Sequence, residues 1–157
     1  MSISQDQFRR ACAHFATGVA ILTTQSGEGA PHGLTINSFT SLSLDPPLVM
    51  AAVAHSSAQL PIFDASASFA VNILNEHQQD LSRRFAKVPE ERFNGVPWAV
   101  GTQGAPLIEG CIATIECRTM HRIDVGDHRV LVGEAVEARV HDGRPLLFFK
   151  SGYGALL

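Results

Sequence analysis

Apolar side chains in this chain recur at helical spacing near its start and at every second residue through most of the remainder. Phe8, Ala11, Cys12, Phe15 and Ala16 fall on one helical face behind Ser4 and Gln7, a capping-box pair, so a first helix is expected to end at Gly18. Residues 19–25 then read as a β-branched strand that breaks at the turn Ser26-Gly27-Glu28-Gly29. Residues 34–44 alternate with period two and predict one strand, with Leu34, Ile36, Leu42 and Leu44 on a common face, stopped by Asp45-Pro46-Pro47. The nearly continuous apolar run 48–54 predicts a strand buried on both faces. Short helices are expected at 60–65 and 80–86, with an apolar strand at 69–74 between them. Residues 87–106, rich in proline and glycine, are assigned no regular structure.

Two long strands come next. In 111–124 the odd positions are mostly apolar while Glu116, Arg118, Arg122 and Asp124 lie opposite, which predicts one wet face. Val125-Gly126-Asp127 turns the chain into a return strand from His128 to Val140, and Asp142-Gly143 turns it again before 146–149. Many strands without regular strand–helix alternation predict a mainly β protein, an antiparallel β-barrel with a few peripheral helices, and argue against a doubly wound parallel sheet.

Composition narrows the function classes. At 157 residues with 45% hydrophobic and 17% charged side chains, the expectation is a single domain, 1–157, with a core of its own. A net charge of −3 disfavours nucleic-acid binding, which calls for a basic face. The three cysteines, Cys12, Cys111 and Cys117, have neither C-x-x-C spacing nor an even count, so no disulfide framework and no metal site are expected. Without a signal-peptide pattern or a run of ~20 apolar residues, a cytoplasmic protein that makes no membrane contact is expected.

The glycines at 27, 29 and 33 miss the dinucleotide fingerprint, because His32 occupies the third glycine position and β-branched residues stand where a helix must start. More informative is Thr35-Ile36-Asn37-Ser38-Phe39-Thr40-Ser41-Leu42-Ser43, which carries six uncharged hydrogen-bonding side chains and no charge. Such a row suits a ligand offering both oxygen acceptors and N–H donors, of which a flavin ring edge with its phosphate is one; the alternative is a Ser/Thr-rich strand that satisfies itself locally. His55-Ser56-Ser57 could seat a phosphate or simply cap a helix. Arg83-Arg84 could pair with an anion or be ordinary exposed arginines. His128, placed at a strand's first residue, is suited either to an orienting or acid–base role or to a plain turn contact with Asp127.

Several segments, taken in order, resemble the short-chain flavin reductases, the small reductase components of two-component flavin monooxygenases. These are Phe8-Arg9-Arg10, Phe15-Ala16-Thr17-Gly18-Val19, the stretch from Thr35 to Leu48, Phe69 to Leu74, Leu81 to Ala86, Gly104-Ala105-Pro106-Leu107, Gly126-Asp127-His128 and Gly152-Tyr153-Gly154. The resemblance implies a split antiparallel β-barrel of the FMN-binding type, a homodimer, FMN or FAD as flavin, and NADH or NADPH as co-substrate. It places the flavin along Thr35, Asn37, Ser38, Ser41 and Ser43, makes Ser56 and Ser57 phosphate neighbours and Phe85 part of the flavin pocket, and sets His128 with Tyr153 on the nicotinamide side. Ile36 departs from the smaller residue many relatives carry there.

The implied reaction is hydride transfer from reduced nicotinamide to flavin, in which the protein holds two rings at ~3 to 3.5 Å and excludes water, with His128 as the catalytic side chain. Reduced flavin would then pass to a separate oxygenase. Three rivals stand beside it: a non-catalytic flavin-binding or sensor module on the same barrel, a pyridoxamine-phosphate-oxidase-like enzyme of the same barrel type, and a flavin-dependent reductase of a metal or haem-type acceptor that reuses the same flavin chemistry. The pyridoxamine-phosphate-oxidase-like enzyme is the one that should carry more basic residues around its phosphate. That enzyme is disfavoured because Lys87 and Lys150 are the only lysines.

Overall fold

In the computed structural model, which describes residues 3–88 and 90–156, the chain forms three helices and twelve strands. In order these are α1 (Gln5–Cys12), β1 (Thr17–Gly18), β2 (Ala20–Gln25), β3 (Pro31–Ile36), β4 (Thr40–Leu44), β5 (Pro47–Ala54), α2 (Leu60–Ala65), β6 (Ser68–Ile73) and α3 (Gln79–Lys87). The chain continues through β7 (Trp98–Val100), β8 (Pro106–Ile108), β9 (Ala113–Val125), β10 (His128–Val140), β11 (Leu147–Phe149) and β12 (Gly152–Gly154). Seven strands pair antiparallel in the order β3-β2-β6-β9-β10-β5-β4; β1-β11-β12 and β7-β8 form two smaller sheets. Among the described residues no helix is long and apolar enough to cross a membrane.

The connection between the edge strands forces the large sheet to roll up. Strands β3 and β4 lie at opposite edges, which in a flat seven-stranded sheet are about 29 Å apart at ~4.8 Å per strand. Yet only residues 37–39 join them, and the four steps from Ile36 to Thr40 reach at most ~14 Å. Ser38 fixes the seam: its hydroxyl bonds both Ala52 O and Ala52 N of β5 at 3.0 Å, taking the place of a ladder partner beyond the point where β4 stops pairing. Inside the roll pack Leu22, Ile36, Val49, Val53, Phe69, Val71 and Leu131, and α2 plugs one side with Leu60 and Phe63. A second cluster, with Val19, Ile21, Leu74, Phe85 and Ile108, lies outside under α3.

The structure alters several expectations. The capping box of α1 forms, but the helix stops at Cys12, Phe15 and Ala16 lie beyond it, and Thr17–Gly18 is already a strand. The strand expected over 34–44 is two strands, because the chain must cross the seam at Asn37–Phe39; Leu42 and Leu44 consequently leave the face of Leu34 and Ile36 and are exposed. Strand β5 buries Val49, Ala51 and Val53 but leaves the alternate residues half-buried, since nothing covers its outer face as completely as the core covers its inner one. Residues 87–106 include β7, whose hairpin with β8 folds over β9. That cover explains Glu116, expected on a wet face but 1% exposed: its Oε2 accepts from Gln103 N at 2.9 Å and Thr102 Oγ1 at 3.1 Å.

This packing can be tested at two places. Gly133 stands at a register shift of β10, and a Cβ there would overlap the Phe69 ring and lie 2.8 Å from Cys117 Cβ. Gly133→Ala is therefore expected to cost about 1–3 kcal/mol, read as a lower denaturant midpoint at unchanged slope. Burial pushes the Cys111 and Cys117 thiols up to about 12, while Cys12 is exposed. A thiol reagent at pH 8 is expected to find one fast thiol in the native protein and three after denaturation; two fast native thiols would contradict the packing.

Candidate functional site

The site begins at the free edge of β3. Val19 O accepts from Leu74 N at 3.0 Å, on the β6 side, so alternation turns Ile21 and Thr23 to β6 and Ala20, Leu22 and Thr24 to β3. Opposite the latter three stand Ile36, Leu34 and His32. Gly33 and Thr35, between them, point their N–H and C=O groups away from β2. Arg92 Nη1 donates to Gly33 O at 2.7 Å and so occupies the upstream part of this edge. Thr35 presents a backbone donor and acceptor side by side on the remainder.

A cavity of about 170 Å³ lies against this stretch. Strand β3 and its end supply Thr35, Ile36 and Asn37, α3 supplies Ser82 and Ala86, and the β11–β12 hairpin supplies Phe148 and Tyr153. No lining residue is charged. Thr35 Oγ1 donates to Ser82 O at 2.6 Å, and Ser82 Oγ lies 2.8 Å from Tyr153 Oη, so one buried serine ties strand, helix and hairpin together. Phe148 meets the Tyr153 ring edge-on at 5.5 Å, and the Arg83 guanidinium lies over that ring, 5.6 Å from its centre. A wider cleft of about 630 Å³ borders the upstream half of β3, with His32, Gln59, Arg92 and Phe93 in its wall.

The remaining expected residues are spread differently. Ser41 and Ser43 lie on β4 beside the Pro47 end of β5, whereas Ser56 and Ser57 come after its Ala54 end. From Leu48 to Ala54 is about 20 Å at ~3.3 Å per residue, so one phosphate cannot touch both pairs. Ser57 Oγ accepts from Gln59 N at 3.3 Å, a local turn contact, while Ser56 is exposed. Ser38 is engaged at the seam. Phe85 has no exposed surface and sits edge-on to Phe93 at 4.9 Å; it supports α3 from beneath and is not a pocket wall.

His128 pairs with Ala54 across the ladder, so it stands beside His55 and Ser56, and it does not line the Tyr153 cavity. Its Nδ1 lies 2.7 Å from Asp127 Oδ1, and that hydrogen bond holds the Asp127 carboxyl below its ordinary range. Next to it His55 Nε2 and Arg129 Nε share Asp124 Oδ1 at 2.9 and 2.7 Å, and Arg129 also reaches Asp64. Arg129 first, then His55, lowers the Asp124 pKa. Sequence reading missed Ser82 and Arg92. Ser82 had a signal, a hydroxyl three residues from Phe85 on the inner face of α3, whereas nothing local marks an arginine that reaches a distant carbonyl.

Comparison with known proteins agrees with this geometry. Residues 12–157 match the family model described as a flavin reductase like domain. The chain is 42% identical over 147 residues to the FMN reductase (NADH) SmoA of Agrobacterium fabrum, covering 94% of this chain and 83% of that one. It is 38% identical over 150 residues to the flavin-dependent monooxygenase reductase subunit HsaB of Mycobacterium tuberculosis, covering 93% and 79%. Among solved structures, the NADH:FAD oxidoreductase SgcE6 of Streptomyces globisporus, in complex with NAD and FAD fragments, superposes with a TM-score of 0.92 at 34% identity over 98% of this chain and 93% of that one. The flavin reductase PheA2 gives 0.91 at 35% over 99% of each. A rolled antiparallel sheet with an open polar edge, matched in sequence and shape over nearly its whole length, makes this chain a member of the flavin reductase family.

Proposed function

We propose that the protein is an NAD(P)H-dependent flavin reductase that delivers hydride to FMN or FAD and releases reduced flavin to a separate oxygenase component. The observation that carries this reading is the open edge at Thr35 beside a neutral polar cavity. An adjacent N–H and C=O on an unpaired strand edge match an imide, the donor–acceptor edge of an isoalloxazine, as they would match another strand. The 170 Å³ cavity is below the ~300–1,000 Å³ usual for ligand pockets, so in this reading the two rings also use surface beyond the residues that line it. Relatives named as reductase components of monooxygenases support the partner class.

In this reading Thr35 and Asn37 hold the flavin ring, and Ser56 with Ser57 take its phosphate. Tyr153 faces the nicotinamide. Ser41 and Ser43 are left as hydroxyls of an edge strand. When bound, flavin supplies the two-electron acceptor for hydride from reduced nicotinamide. The chain itself orients and dries the site. Thr35, Ser82 and Tyr153 keep the cavity wall in one arrangement, and Phe148 and Ile36 exclude water from it. Asp127 on Nδ1 fixes the His128 ring and leaves Nε2 for a ligand, so His128 orients a substrate or moves a proton from the Ser56 side.

The reading includes a homodimer. Among the described residues α1 buries none of its own, and Phe15, Leu44 and Val140 are 77%, 93% and 83% exposed, apolar surface that a second copy is suited to cover.

Anaerobic mixing of the protein with NADH and excess FMN or FAD is expected to bleach the flavin absorbance far faster than the protein-free control; equal rates would sink the proposal. His128→Asn is expected to lower kcat/KM for NADH roughly tenfold to hundredfold while flavin dissociation constants stay within about twofold. Parallel loss of both would instead make His128 part of the flavin seat.

A further inference from the structure

The Tyr153 cavity has no charged residue in its wall, yet both co-substrates of the proposed reaction carry phosphates. The charge that balances them must therefore stand at the rim. Of the ten arginines, seven besides Arg83 already have partners, Arg122 at Ser66 O and Arg144 at Glu76 among them. Arg84 donates to Asn94 O at 2.9 Å, Arg92 to Gly33 O at 2.7 Å, Arg118 to Glu134 at 3.2 Å and Arg139 to Glu137 at 2.6 and 2.9 Å; Arg129 is held between Asp64 and Asp124. Arg83 differs from all of these. Its guanidinium lies over the Tyr153 ring, and its one carboxylate neighbour, Asp80, is 3.5 Å away with a side chain 99% exposed. An ion pair so open to water is weak and yields readily to a better anion. The ring beneath holds the planar cation in place without using any of its N–H donors.

We propose that Arg83 is the anion-recognising residue of this cavity and that it takes the pyrophosphate of the nicotinamide dinucleotide. The assignment rests on the reading of the cavity as a flavin and nicotinamide site. Within that reading the layout decides between the two phosphate sources. Ser56 and Ser57 come after the far end of β5 and in that reading serve the flavin phosphate. Arg83 stands over the ring of Tyr153, which in that reading faces the nicotinamide. The two adjacent arginines of α3 thus divide their work. Arg84 pins the loop at Asn94, and Arg83 reaches ligand.

The test uses the full chain with oxidised flavin at saturation, titrated with NAD⁺ and with nicotinamide riboside, which lacks phosphate. Arg83→Gln is expected to weaken NAD⁺ binding about tenfold and to leave nicotinamide riboside within twofold, with Arg83→Lys intermediate. The salt dependence of NAD⁺ binding should flatten in the glutamine variant. The KM for NADH should rise in parallel at unchanged kcat, and the unfolding midpoint should stay unchanged because the side chain is exposed. Unaltered NAD⁺ affinity in Arg83→Gln would overturn the proposal. So would a selective loss of FMN relative to riboflavin with NAD⁺ unaffected, which would assign Arg83 to the flavin phosphate. Absence of NADH oxidation by the unaltered protein is a different result, and it would remove the underlying flavin reductase reading.

Discussion

Three residues joining the first and last strands of a seven-stranded sheet impose the shape on which everything else depends. The link of residues 37–39 is too short to let the sheet lie flat, and Ser38, bonded to both backbone groups of Ala52, holds the seam at a fixed register. Rolling brings β3 against β5 without pairing the two along their length. One strand edge is thereby left available inside a folded protein, where it is guarded by neighbours from pairing with a foreign strand. The open edge is a by-product of incomplete closure.

The wall opposite that edge is assembled from remote parts of the chain. Thr35, Ser82 and Tyr153 are far apart in sequence and meet through two hydrogen bonds of 2.6 and 2.8 Å. Their contact is polar, while the cluster beneath it, with Phe85, Ile21 and Leu74, is apolar. Packing thus fixes α3, and the hydroxyls set the last few tenths of an ångström at the cavity. Such a division suits an enzyme whose chemistry belongs to its bound molecules and whose own contribution is placement.

The strands and short helices are legible because each is a local pattern. The span expected for the second helix matches α2, and the expected turn at residues 125–127 and return strand from His128 to Val140 match β10. Where the pattern misleads, a tertiary constraint overrides the period. The alternation from Leu34 to Leu44 is unbroken in sequence, but sheet closure cuts it at Asn37. Glu116 looks solvent-facing by alternation, and only the fold of the β7–β8 hairpin over it explains its burial. For the candidate site, the resemblance puts Thr35 and Asn37 along the flavin and pairs Tyr153 with His128 on the nicotinamide side, whereas the structure sets Thr35, Asn37 and Tyr153 around one cavity and leaves His128 outside it. Ser41 with Ser43 and Ser56 with Ser57 fall at opposite ends of β5, a separation already implied by the expected turn at 45–47 and strand over 48–54, which the family resemblance overrode. Ser82 escapes notice since a helical serine advertises no chemistry until its neighbour is known.

Tyr153 and Phe148 belong to the small β1-β11-β12 sheet, which shares no ladder with the seven-stranded roll. That arrangement separates the cavity wall from the scaffold. The small sheet is tied on by the Ser82–Tyr153 contact, by Phe148 and Tyr153 lying on the outer apolar cluster and by Leu146 N donating to Leu74 O at 3.0 Å, so its hairpin can be recut by substitution without disturbing a rung of the main ladder.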